Sequence, residues 1–298
     1  MQAISEKVRR LPPYLFAELG RKKAALQKKG IDVIDLGIGA PDLPTPKFII
    51  DALVEEAQKP ENHRYSPYSG CFEFRKAVAN FYKRQYGVEL DPEKEVLTLI
   101  GSKEGIHNLI QTLLNPGDAV LLPNPGYPVY RTAVHLAGGE VIDLPLQPKR
   151  GFLPDYAQVT KQELQRAKMM FLNYPSNPTT ATVQLNDYLK AITFAKENNL
   201  LLVNDMAYDL ITFGDYKAPS ALQVDGAKQH AVEFGSLSKS FNMTGWRIGY
   251  VVGNEKIIRA LATLKSNVDS SQFLAIQKAA AIALESDLLE VKSHCHIF

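Results

Sequence analysis

The chain reads as an α/β protein, a mostly parallel sheet with helices on both faces. Two observations predict it. From Val96 onward, short apolar runs that read as strands alternate with stretches that read as helices. The polar residues suited to chemistry fall at the ends of those runs or in the loops after them, which is the ligand edge of an open parallel sheet. At 298 residues the chain has room for one large domain or two smaller ones. Its hydrophobic fraction of 45% and charged fraction of 22% are those of a soluble globular protein. A net charge of +2, with no basic tract beyond Arg21-Lys22-Lys23, argues against nucleic acid as a partner. Two cysteines are too few for a disulfide framework and suggest a reducing compartment. No signal core or membrane-length apolar run is present, so a cytoplasmic enzyme is expected.

Taken in order, 14–29 reads as a helix with Leu15, Leu19, Ala25 and Leu26 on one face and Gly30 as its stop. Residues 31–38 read as a short strand. Gly37-Ile38-Gly39 is no dinucleotide fingerprint, because Pro41, Pro44 and Pro46 follow in place of a helix start. It suits a turn that offers N–H groups to a carboxylate. Helices are predicted at 46–58 and 72–86, with a Pro/Ser/Gly loop at 63–70 between them.

The sheet proper begins with a strand at 96–100. Gly101-Ser102-Lys103-Glu104-Gly105 and a helix at 106–114 follow, an order that sets free N–H groups toward a phosphate, although Gly and Ser are also ordinary helix caps. After a strand at 119–122, three prolines and a glycine fix Tyr127 where a planar ring would stack on it; a packed loop tyrosine fits as well. Strands at 139–144 and 169–172 lead to Asn173-Tyr174-Pro175-Ser176-Asn177-Pro178-Thr179-Thr180. The strand at 200–203 ends in Asp205. A carboxylate there needs a partner, and a protonated pyridine nitrogen or the N-terminus of a helix would serve.

Val232 and Phe234 open another strand, and Ile248 to Val252 form the next. Between them lies Gly235-Ser236-Leu237-Ser238-Lys239-Ser240, which reads as a loop holding one lysine among small hydroxyl side chains. A lysine that attacks a carbonyl to form a Schiff base must be neutral, and partial burial or a neighbouring cation lowers its pKa from about 10.4. Arg247 supplies such a cation and a phosphate contact. Helices at 255–266 and 272–284 end the reading.

Ser-Leu-Ser-Lys followed by Thr-Gly-Trp-Arg-Ile-Gly resembles the cofactor-lysine motif of class I pyridoxal-phosphate aminotransferases. The text from Val232 to Arg247 looks most like the LL-diaminopimelate aminotransferase-like branch. The resemblance covers nearly the whole chain and implies an aspartate-aminotransferase-like large domain. It assigns Lys239 as the catalytic lysine. Tyr65, Ser102, Lys103, Tyr127, Asn177, Asp205, Tyr208, Ser236, Ser238 and Arg247 join it as cofactor-side residues, and Tyr14, Gly39, Asn177 and Asn267 as substrate-side residues. Tyr65 and Asn267 would serve a neighbour's site, so a homodimer is implied. Amino acids and 2-oxo acids are the implied substrates, and no metal is.

The chain departs from the family at Ala40, where aspartate is usual, and at Thr180, where glycine is usual. The implied domains are 1–45, an arm with part of a small domain; 46–285, the cofactor domain; and 286–298, the start of a truncated small domain. The segment expected beyond Phe298 carries the arginine that clamps the substrate α-carboxylate. Without it the chain is expected to bind cofactor, to aggregate through Leu15, Leu19, Leu26, Val33, Ile34 and Leu36, and to transaminate slowly. A lyase on the same fold and a non-catalytic homologue are the other readings.

Overall fold

Among the described residues the apolar runs become seven strands of one sheet: β1 (Val96–Leu99), β2 (Ala119–Asn124), β3 (Glu140–Pro145), β4 (Ala167–Asn173), β5 (Leu201–Asp205), β6 (Ala231–Ser236) and β7 (Gly249–Gly253). Their order is β1-β7-β6-β5-β4-β2-β3, and only β7 runs against its neighbours. The computed structural model describes residues 3–12, 15–37 and 39–297. They divide into two compact units, 1–42 and 43–298. No helix among the described residues is long and apolar enough to cross a membrane.

The first unit holds α1 (Glu6–Arg9) and α2 (Leu15–Gln27). Gly30, at φ +78°, turns the chain after α2, a conformation glycine adopts freely. Lys23 then reaches Asp35 at 2.8 Å. The strand expected at 31–38 does not form over the described residues 31–37. Apolarity alone does not make a strand, since its backbone groups need a neighbouring strand. Ile34 and Leu36 stand 85% and 91% exposed instead.

In the second unit α3 (Lys47–Ala57), α4 (Phe72–Tyr86), α8 (Leu185–Glu197) and α11 (Leu274–Glu285) contribute to the core on one face of the sheet. On the other face α5 (Ser102–Leu113), α6 (Pro128–Leu136) and α10 (Glu255–Lys265) pack on Leu97, Val120, Phe171, Val203 and Phe234. The short helices α7 (Lys161–Arg166), α9 (Leu237–Ser240) and α12 (Leu289–Cys295) complete the set. Helix α5 starts at Ser102, four residues earlier than the apolar pattern suggests. Glu104 accepts the Ile100 N–H at 3.0 Å, and Gly105 leaves room for the Leu99 side chain. Lys239 sits on the single turn α9 where a loop was expected.

Two buried carboxylates lie behind the sheet edge. Glu233, in the middle of β6, accepts hydrogen bonds from the Tyr82 hydroxyl, the Ser220 hydroxyl, the Asn204 amide and the Ala221 N–H at 2.7–2.9 Å. Asp209 accepts from the Tyr86 hydroxyl at 2.7 Å, and burial pushes its carboxyl up to about 7. The folded chain therefore holds a proton on Asp209 that the unfolded chain releases between the ordinary 3.8 and about 7. Stability then falls as pH rises through that window. We expect Asp209→Asn to flatten the fall by on the order of 4 kcal/mol. Chemical denaturation at pH 4 and pH 8 measures it, and an unchanged pH dependence would contradict the assignment.

Candidate active site

Because β7 is antiparallel, the end of β1, the start of β7 and the ends of β6, β5, β4 and β2 all lie at one edge of the sheet. Ser102, Arg247, Lys239, Asp205, Asn177 and Tyr127 leave from that edge.

The lysine turn is built first by Ser236, whose hydroxyl accepts the Ser238 N–H at 3.2 Å and caps α9. Ser236 and Ser238 are themselves buried. Lys239 is half-buried, and its Nζ stands 5.8 Å from the centroid of the Tyr208 ring. Burial lowers the pKa of this amine, and the positive charge of Arg247 lowers it further. Both effects favour the neutral amine that nucleophilic chemistry needs.

Asp205 closes β5 and is buried. Its Oδ2 accepts the Tyr130 hydroxyl at 2.7 Å, while its Oδ1 has no hydrogen-bond partner among the described residues. Burial raises this carboxyl to about 6, against the opposing effects of the Tyr130 hydroxyl and the Ala207 N–H. A buried carboxylate oxygen without a donor is costly, so the cleft is shaped for a group that donates to it. Asn173 anchors the strand end by donating its side-chain amide to the Asp205 carbonyl at 2.8 Å, and its Oδ1 accepts the Asn177 N–H at 2.8 Å. The Asn177 side chain bonds the Tyr208 hydroxyl. Asn177 and Tyr208 thus meet.

The phosphate end is equally local. Helix α5 has no side-chain cap, and its N-cap Gly101 sits at φ +78°. A Cβ at Gly101 would run into the Arg247 guanidinium. A Cβ at Gly249 would come within 3.1 Å of the Ser102 N. Gln272 donates to the carbonyls of both Leu99 and Arg247, at 3.0 and 3.2 Å, and so ties β1 to the arginine turn. Uncapped N–H groups at a helix start beside a guanidinium make an anion site. The Lys103 side chain is exposed.

Tyr65 is 89% exposed. Asn267 is exposed, and its amide donates to the Thr263 carbonyl at 2.9 Å. Gly39 is exposed within the first unit, and Tyr14 falls outside the described residues. Tyr130, Asn173 and Gln272 escaped the sequence reading. Only Tyr130 left a signal, its three-residue spacing from Tyr127 at a helix start, which puts both rings on one face.

Thr180 does take the left-handed conformation, at φ +59°, with its N–H donating to the Ser176 carbonyl at 2.9 Å. A β-branched residue is strained there. Thr180→Gly is expected to stabilise the chain by about 1 kcal/mol, a rise of about 2–4 °C in melting temperature. A melting temperature that stays or falls would show the loop to be unstrained at this position.

The sequence pattern described as aminotransferase class I and II matches residues 31–295. The chain belongs to this family. It is a pyridoxal-phosphate-dependent aminotransferase. It is 50% identical to the LL-diaminopimelate aminotransferase of Aquifex aeolicus over 292 residues, 98% of this chain and 76% of that one. A second enzyme of that name, from Moorella thermoacetica, is 49% identical over 97% of this chain and 75% of that one. Among solved structures, substrate-bound BacF from Bacillus subtilis superposes with a TM-score of 0.97 at 42% identity, covering 100% of this chain and 75% of that one. A Thermus thermophilus aspartate aminotransferase mutant gives 0.90 at 28% identity, covering 100% and 76%.

The site of this aminotransferase fits its cofactor in three respects. The unpartnered Oδ1 of Asp205 suits a protonated ring nitrogen. The pKa-lowered Lys239 suits an aldehyde carbon. The α5 N-terminus beside Arg247 suits a phosphate. The sheet order and the family together bear out the mostly parallel α/β reading.

Proposed function

We propose that the chain transfers the amino group of LL-diaminopimelate to 2-oxoglutarate at the site around Lys239. The observation that carries the substrate is the 45–50% identity, over 94–99% of this chain, to enzymes named for LL-diaminopimelate. When bound, pyridoxal phosphate supplies an electron sink for the charge left on a substrate Cα. The chain's residues do the rest. Lys239 Nζ, as the neutral amine, takes the Cα proton as base and later returns it as acid. Asp205 Oδ1 holds positive charge on the ring nitrogen. Tyr127 would stack on the ring, while Asn177 and Tyr208 would donate to the phenol oxygen. Ser102, Lys103 through its backbone, Ser236, Ser238 and Arg247 hold the phosphate. Gly39 and Tyr14 serve the substrate from 1–45, the arm and small-domain part. Residues 46–285 form the cofactor domain and 286–298 begin the rest of the small domain.

The enzyme works in the cytoplasm as a homodimer in which Tyr65 and Asn267 serve the neighbouring site. Their exposure supports this reading. Mixing an inactive Lys239→Ala protomer with an inactive Tyr65→Phe protomer should restore part of the activity. Mixed dimers that stay inactive would count against shared sites. The substrate is tested by assaying the cofactor-loaded chain with LL-diaminopimelate, aspartate and aromatic amino acids against 2-oxoglutarate. The reading predicts the highest kcat/KM for LL-diaminopimelate, and a higher value for another donor would refute it.

A further inference from the structure

Tyr130 stands behind two of the groups assigned to the cofactor ring. Its ring is buried on α6, tilted against Phe171 of β4 with centroids 4.9 Å apart. Its edge meets Tyr127 at 5.5 Å and 82°. Its hydroxyl donates to Asp205 Oδ2 at 2.7 Å. Burial raises its pKa well above the ordinary range, so the hydroxyl keeps its proton and stays a donor. The other carboxylate oxygen, Oδ1, is buried and has no hydrogen-bond partner among the described residues.

We propose that Tyr130 is a positioning residue: its hydroxyl occupies one oxygen of Asp205 so that the other faces the ring nitrogen, and its ring sets the angle of Tyr127. One fixed donor on one oxygen stops the carboxylate from rotating, and a packed edge stops the stacking ring from tilting. Two separate contacts to the cofactor ring are thereby set by one side chain wedged between α6 and β4. This inference rests on the reading of Lys239 and Asp205 given above. The groups facing Asp205 are Tyr130 from α6 and Tyr208 from the turn after β5, with the Ala207 N–H beside them.

The test is Tyr130→Phe, which keeps the ring and its packing and removes only the hydroxyl. Carbon-13 NMR of labelled aspartate in the cofactor-free chain reads Asp205 directly. Its titration midpoint should move up from about 6, by about one pH unit for one lost hydrogen bond. An unmoved midpoint overturns the proposal. Pyridoxal phosphate is then titrated into both forms and followed by visible absorbance. Tyr130→Phe should weaken the apparent Kd about 5–10-fold, as expected for one hydrogen bond. It should also shift the pH midpoint of the visible band upward, because a ring nitrogen that shares its proton with Asp205 withdraws less charge toward Lys239. In an Asp205→Asn background the same substitution should change neither quantity by more than about twofold. Equal effects in both backgrounds would overturn the proposal by making Tyr130 act independently of Asp205. A parent chain that takes up no pyridoxal phosphate would instead strike at the site reading, a result distinct from a parent that binds and a variant that matches it.

Discussion

Lys239→Ala is expected to lower transamination by at least about 10²–10⁴-fold, the contribution of a positioned general base alone. The fold should survive. Lys239 is half-buried on a single helical turn, and its shift arises from burial and Arg247 with no carboxylate partner. Removing it leaves no buried countercharge behind. The loss should appear in kcat as well as in kcat/KM, because the base acts on the transition state. A variant that folds, binds pyridoxal phosphate and turns over within tenfold of the parent would move the base elsewhere.

Glu233→Ala is expected to cause the largest loss of stability, about 3–5 kcal/mol. The side chain is fully buried and collects four donors from three separate stretches of chain: α4, β5, and the Ser220 and Ala221 that begin the turn before β6. Truncation would strand all four donors and open a cavity next to β5, which ends in Asp205. Urea denaturation at pH 7 measures the change. A loss under about 1 kcal/mol, the scale of a single ordinary hydrogen bond, would contradict it.

The sheet and the site edge were legible in the sequence for a physical reason. A buried strand is mostly apolar, and a polar residue at its end must face a cleft or find a partner. Asp205 after Leu201-Leu202-Val203 and Lys239 after β6 therefore stood out, and the structure brings both to one edge. Residues 31–37 misled because their apolarity resembles a strand while nothing local reports whether a neighbour exists to pair with. The position of Thr180 was legible as a departure, and its backbone bears that out at φ +59°. Tyr130 left only its three-residue spacing from Tyr127, and the hydrogen bonds of Tyr130, Asn173, Gln272 and the partners of Glu233 were not legible. Each residue acts through hydrogen bonds to residues 12 to 173 positions away in sequence, and periodicity carries no trace of such pairing.

The most direct test of the central claim is chemical trapping at the lysine. The 298-residue chain is incubated with pyridoxal phosphate, reduced with borohydride, digested and mapped by mass spectrometry. The account predicts one stoichiometric pyridoxyl label on the peptide containing Lys239, lost in Lys239→Ala. A label on a different lysine, with Lys239 unmodified, would contradict it.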